Sequence, residues 1–321
     1  MSRLSQRVGA KPALREDIEF MALTGERLRG WLFPAAKRGP ALIIGSGVRE
    51  IPHSVSLSVP QDCNNSRTVV PKELMTPVFA ELYYEQGFTV LMFDGFSLGA
   101  SEGEPRNHCT IERRIQDLTD AVTFLSQHPS VDDKKIALWG ICSDATIMIA
   151  AAATDRRIGA VVAMAPPLNL GGKPERREPI LELAMADRLD QMAGKEPMYL
   201  PVINEDGMSP IGYELGLATL SFAEAAGVIF DNRMTVRSLV SLLSWDVRHL
   251  LPKVSPAAVL ICTPELDEVV PMSDSRTLYD TLEEPKEFCI IPGRKHFDWL
   301  FDETRGQFQT QVDFLKQHLK L

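Results

Sequence analysis

The chain has 321 residues, 45% of them hydrophobic and 24% charged, with a formal net charge of −9. That is enough apolar material for one large core, and the acidic balance with no long basic tract excludes a nucleic-acid partner. No apolar run approaches the ~20 residues that span a bilayer, so no membrane association is expected. The first residues, MSRLSQRVGAKPALRED, lack the apolar stretch of a signal peptide, which makes the cytoplasm the expected compartment.

In chain order, residues 1–15 read as a flexible tail. Ile18–Leu23 and Leu28–Phe33 have strand character and are joined by the hairpin signal Thr24–Gly25. Short, wholly apolar runs then recur at Ala41–Gly45, Phe88–Asp94, Lys135–Gly140, Ala160–Pro166, Ala257–Cys262 and Glu287–Gly293. Each reads as a strand buried on both faces. Helical stretches alternate with them at Pro71–Gln86, Ile111–Gln127, Ser143–Asp155, Ser273–Leu282 and Arg305–Leu319. In the second of these, Ile111, Ile115, Leu118, Val122 and Leu125 form one helical face. The alternation predicts a doubly wound, mostly parallel sheet, an α/β architecture. Two blocks interrupt it. Val48–Val70 is long for a plain connection and reads as a lid. Residues 167–247, rich in Leu, Met and Ala, hold no clear buried strand and read as an inserted helical cap, leaving 16–166 and 248–321 as the core domain. The cap's Met and Leu side chains either line a pocket for a flexible apolar chain or pack the cap's own core.

The five cysteines, Cys63, Cys109, Cys142, Cys262 and Cys289, are scattered and odd in number, which indicates free thiols. There is no CxxC pair and no His/Cys cluster, so neither a metal nor any other cofactor is expected. One cysteine stands apart. Trp139-Gly140-Ile141-Cys142-Ser143-Asp144 follows a buried strand and opens a helix, the setting of a nucleophile elbow, usually written GxSxG. A small residue at position 140 lets the strand turn sharply, and the helix N-terminus behind Cys142 favours negative charge. Cysteine replaces serine, and Asp144 replaces the last glycine. The alternative is a buried apolar cysteine. Asp144 either hydrogen-bonds a substrate hydroxyl or caps the helix.

Two further residues lie at strand ends. Asp267 follows the Ala257–Cys262 strand in ELDEVVP, with Glu265, Glu268 and Asp298 as nearby rivals, and His296 follows the last strand in PGRKHFDW. Nucleophile, acid and histidine in that order match the α/β-hydrolase fold, the cap accounting for the long gap between the first two. Singly, Asp267 reads equally well as a turn-capping carboxylate and His296 as a surface histidine; together they read as a Cys142–His296–Asp267 triad.

These segments, with FTVLMFDGFSLGASEGEPR, resemble the α/β-hydrolases related to dienelactone hydrolase and the X-Pro-dipeptidyl-peptidase-like group, and most of all the fungal polyketide transferases, over roughly residues 16–320. The resemblance implies an oxyanion hole in the loop Gly45-Ser46-Gly47-Val48, with Val48 as one N–H donor and Ser143 as the other, Ser46 standing where a histidine is usual. Many members carry serine at the elbow; a few relatives use a Cys-His-Asp triad to release polyketides as lactones. A cysteine nucleophile suits that chemistry, because exchange with a carrier thioester is nearly energy-neutral and the acyl-enzyme stays activated. The expected donor is a small-molecule acyl chain on the acyl carrier protein domain of a polyketide synthase, or another acyl thioester. The basic pairs Arg156–Arg157 and Arg176–Arg177 either meet that acidic carrier or are solvated surface. Hydrolysis of esters, lactones or thioesters is the main alternative, and a non-catalytic small-molecule-binding fold the third.

Overall fold

The computed structural model describes residues 15–45, 72, 77–170, 177–203, 231–296 and 306–321. The lid segment 48–70, Val48 within it, Cys63, Arg176, Met208 and Asp298 lie outside the described residues, as do residues 1–14 of the expected tail. Arg15 is described, with its guanidinium 4.1 Å from the Trp31 ring centre.

Eight strands form one sheet. In chain order they are β1 (Glu16–Met21), β2 (Arg27–Phe33), β3 (Gly39–Ile44), β4 (Thr89–Phe93), β5 (Val131–Ile141), β6 (Ile158–Met164), β9 (Ala258–Pro264) and β10 (Lys286–Ile291). Their spatial order is β1-β2-β4-β3-β5-β6-β9-β10. The β1–β2 hairpin and its pairing to β4 are antiparallel; every other neighbouring pair runs parallel. The short apolar runs fall in this sheet because both of its faces are covered. Ala137, Trp139 and Ile141 of β5 enter one core cluster, and Ile136 and Leu138 the other. Each fully buried Leu or Ile contributes about 1.5–3 kcal/mol.

Helices α1 (Pro77–Glu85) and α7 (Gly306–His318) cover the first face; α2 (Ile111–Ser126), α3 (Ser143–Thr154) and α6 (Met272–Thr281) cover the second. A buried polar knot ties the first face together: Trp139 Nε1 and Tyr83 OH each donate to Gln311 Oε1 at 2.8 Å. Phe79 stacks on Trp139 with ring centres 4.9 Å apart.

Three expectations shift. Strand β5 starts at Val131 rather than Lys135, because Val131 bridges Gly39 across a bulge and draws the polar residues between them into the strand. The buried face of α2 runs through Arg114 and Asp117, while Ile115 is only partly buried. Between β6 and β9 the described residues hold α4 (Arg177–Met192), α5 (Val236–Ser244) and a two-residue antiparallel pair, β7 (Tyr199–Leu200) with β8 (Met234–Thr235). That insertion is anchored to the loop before α2. His108 Nδ1 lies 2.8 Å from Thr235 Oγ1, Asn107 Nδ2 donates to Asp231 Oδ2, and Ser238 Oγ accepts from the Cys109 amide. No helix among the described residues is long and apolar enough to cross a membrane.

Candidate active site

Cys142 stands between β5 and α3 with φ 53° and ψ −127°. A non-glycine residue in this region costs on the order of 1–3 kcal/mol and persists only where its surroundings fix it. Here the Cys142 amide donates to Met164 O of β6 at 2.8 Å, and the Cys142 carbonyl accepts from Ala145 at 3.0 Å. Glycine at 140 is a steric demand: a Cβ there would lie 2.7 Å from Met148 Sδ and 2.8 Å from Ala145 N. Gly45, at the end of β3, is pressed in the same way, its would-be Cβ 2.6 Å from Asp144 Oδ2. The side chain of Cys142 is 3% exposed. The Ser143 amide belongs to the first turn of α3, whose N–H groups have no intrahelical acceptor.

Asp144 is bound to α2. Both of its oxygens accept from Arg114 Nη2 at 3.1 Å, and both residues are buried. Burial works against the Arg114 charge, but the attraction of Asp144 outweighs it and raises the guanidinium pKa. The pair ties α2 to the helix behind Cys142 and explains why aspartate can stand where glycine is usual. The sequence held a sign of it, since Arg114 falls three residues after Ile111 and four before Leu118, on the apolar stripe. A second overlooked group is the Ser143 hydroxyl, whose buried oxygen has no hydrogen-bond partner among the described residues.

At the other side of the site, His296 Nδ1 lies 2.6 Å from Asp267 Oδ2. The second oxygen, Oδ1, accepts from the Val269 and Val270 amides at 2.9 and 2.8 Å, fixing the carboxylate in the turn after β9. The rivals look elsewhere: Glu265 accepts from the Gly293 amide and Glu268 from Lys295 Nζ. The Asp267 side chain is fully buried and that of His296 nearly so. Burial alone would lower the imidazole pKa. The hydrogen bond to Asp267, with the influence of the Cys142 thiol, outweighs it and raises the pKa to about 9. Asp267 and His296 thus meet in direct contact beyond the ends of β9 and β10. Of the basic pairs, Arg157 binds its neighbour Asp155, Arg156 donates to Ser255 O, and Arg177 pairs with Glu178.

A thiol at a strand–elbow–helix turn and a carboxylate-held imidazole, on this sheet order, define the α/β-hydrolase class, and the solved structures agree. The α/β hydrolase GrgF from Penicillium sp. sh18 superposes with a TM-score of 0.81 at 39% identity, covering 96% of this chain and 99% of that one. The X-Pro dipeptidyl-peptidase (S15) family model matches residues 25–173. The polyketide transferase grgF of Penicillium sp is 40% identical over 95% of this chain and 97% of its own length. A thiohydrolase of Eupenicillium brefeldianum is 32% identical over 91% of this chain and 90% of its own. The chain belongs to the α/β-hydrolase family of the fungal polyketide transferases, and it is an enzyme.

Proposed function

We propose that the chain is an acyl-thioester-dependent acyltransferase that loads a polyketide chain onto Cys142 and releases it by attack of the chain's own hydroxyl, forming a lactone. One observation carries the reading: Cys142 stands at a strained turn in front of α3, and the imidazole that follows β10 is held by a buried carboxylate, His296 Nδ1 lying 2.6 Å from Asp267 Oδ2. A carboxylate on Nδ1 orients the ring and stabilises the imidazolium that forms when the ring takes the Cys142 proton.

The thiolate attacks the acyl thioester. The oxyanion takes a hydrogen bond from the Ser143 amide, such a donor being worth about 3 kcal/mol, and Val48, outside the described residues, is the second donor that the sequence suggests. The donor thiol then leaves with the proton held by His296. In the second half His296 takes the proton of a distal hydroxyl on the acyl chain. That oxygen attacks the thioester carbonyl and expels Cys142. The Ser143 hydroxyl is available to orient the acyl chain. The donor we assign is an acyl carrier protein domain of a polyketide synthase, in keeping with the polyketide transferase relative.

The thiohydrolase relative favours a second reading, in which water replaces the hydroxyl and the product is the free acid. Incubation with a synthetic acyl thioester bearing a distal hydroxyl separates the two. Lactone as the main product supports transfer; free acid alone, at every pH tried, leaves the hydrolytic reading.

A further inference from the structure

Cys262 and Cys289 are register partners on the neighbouring parallel strands β9 and β10, and both are free thiols. Adjacent strands lie about 4.7–4.9 Å apart, inside the ~4.4–6.8 Å Cα separation that a disulfide accepts. Both side chains project to the face covered by α7: Cys262 is part of that cluster and Cys289 packs against it. The Cys289 thiol donates to the Ile290 carbonyl oxygen at 3.8 Å.

Their surroundings divide the roles. Cys262 is wholly buried, whereas Cys289 sits on the edge strand and is half-buried. The neighbouring Cys262 thiol stabilises the thiolate of Cys289 and brings its pKa to about 7, against the opposing effect of burial; the Cys262 pKa rises well above the usual thiol range. The nearest carboxylate along β10, Glu287, is 3.3 Å from His318 Nε2 of α7. An accessible thiolate backed by a buried thiol is the pairing of an attacking and a resolving cysteine. Neither takes part in the chemistry at Cys142.

We propose that Cys262 and Cys289 form a reversible redox site, closed by a hydroperoxide into a disulfide that staples β9 to β10. The Cys289 thiolate attacks the peroxide, giving Cys289–SOH and releasing water or an alcohol once the departing oxygen is protonated. The Cys262 sulfur then attacks that sulfur, the S–O bond breaks, and water leaves with the Cys262 proton. The two thiols lose two electrons and the peroxide gains them. A small dithiol reverses the step. The position gives it consequence, because β9 leads directly into the turn of Asp267 and β10 into the loop of His296. The staple locks together the two strand ends that present the acid and the imidazole.

The test uses the full chain. Protein is treated with near-stoichiometric hydrogen peroxide, remaining thiols are capped with N-ethylmaleimide, and a non-reducing peptide map is recorded. The expected result is a Cys262–Cys289 linked peptide pair, lighter by two hydrogens than its parts, in most molecules, and lost on adding dithiothreitol. A Cys289→Ser protein should keep the activity of the reduced enzyme and lack the link. Cys289 capped or oxidised beyond the sulfenic acid while Cys262 remains a free thiol would overturn the proposal. So would a link from Cys289 to any other cysteine. The map of the unaltered chain decides the question even if Cys289→Ser fails to fold.

Discussion

Helix α3 buries every residue from Asp144 to Ala153, whereas α4 of the inserted segment buries Ile180 and Asp187 and leaves Met185, Leu189 and Met192 62%, 70% and 80% exposed. The two helices answer different demands. Helix α3 stands behind a strained cysteine and is held by sheet, core and a buried ion pair, so a change in it is felt throughout the core. Helix α4 buries two of its 16 residues and leaves large apolar side chains exposed.

The sharpest way to break this contrast is at the acid. Asp267→Asn keeps the shape but loses the orienting charge, and should lower kcat by about 10⁴-fold. Glu265→Gln and Glu268→Gln should stay close to the parent enzyme, because those carboxylates bind Gly293 and Lys295 instead. Equal losses at all three positions would contradict the assignment.

Next in size is the buried pair. Asp144→Ala strands the Arg114 guanidinium in the core and should cost about 3–5 kcal/mol in denaturant unfolding. A loss of under about 1 kcal/mol would mean that α3 is held by packing alone and that the ion pair is incidental.

The raised pKa of His296 gives a pH signature. Since the folded value, about 9, lies above the ordinary 6.5, its stabilisation is complete below pH 6.5 and is lost as pH climbs through 9. Unfolding free energy should therefore fall by up to about 3 kcal/mol between pH 6 and pH 10. In His296→Gln that part of the fall should be absent. A parallel pH profile in the two proteins would mean that the imidazole is not held by its partners.

The smallest effects belong to α4. Met185→Ala and Leu189→Ala should change stability by no more than about 0.5 kcal/mol, as expected for exposed positions. Losses of several kcal/mol would show that this face is covered and would end the contrast with α3.

How far the sequence could be read follows the same division. The buried strands were legible because residues such as Ala41–Ile44 and Val90–Phe93 are apolar on both faces, which only a doubly covered sheet permits. That Cys142, Asp267 and His296 each follow such a strand was legible for the same reason. The Arg114–Asp144 pair and the β7–β8 ladder were not. A charge on an apolar stripe looks like an ordinary helix surface until its partner, far along the chain, is placed beside it. A two-residue ladder has no period to detect. The Cys262–Cys289 pairing was hidden for a related reason, since strand order and register decide which residues face each other.

The central claim, that sulfur at position 142 carries the acyl chain, is tested most directly by intact-protein mass measurement after rapid mixing with a hydroxyacyl thioester. The account predicts an added mass equal to the acyl group, mapped to Cys142, that decays as lactone appears and is absent from Cys142→Ala, which also fails to turn over. An acyl group mapped to any other residue, or full turnover by Cys142→Ala, would contradict it.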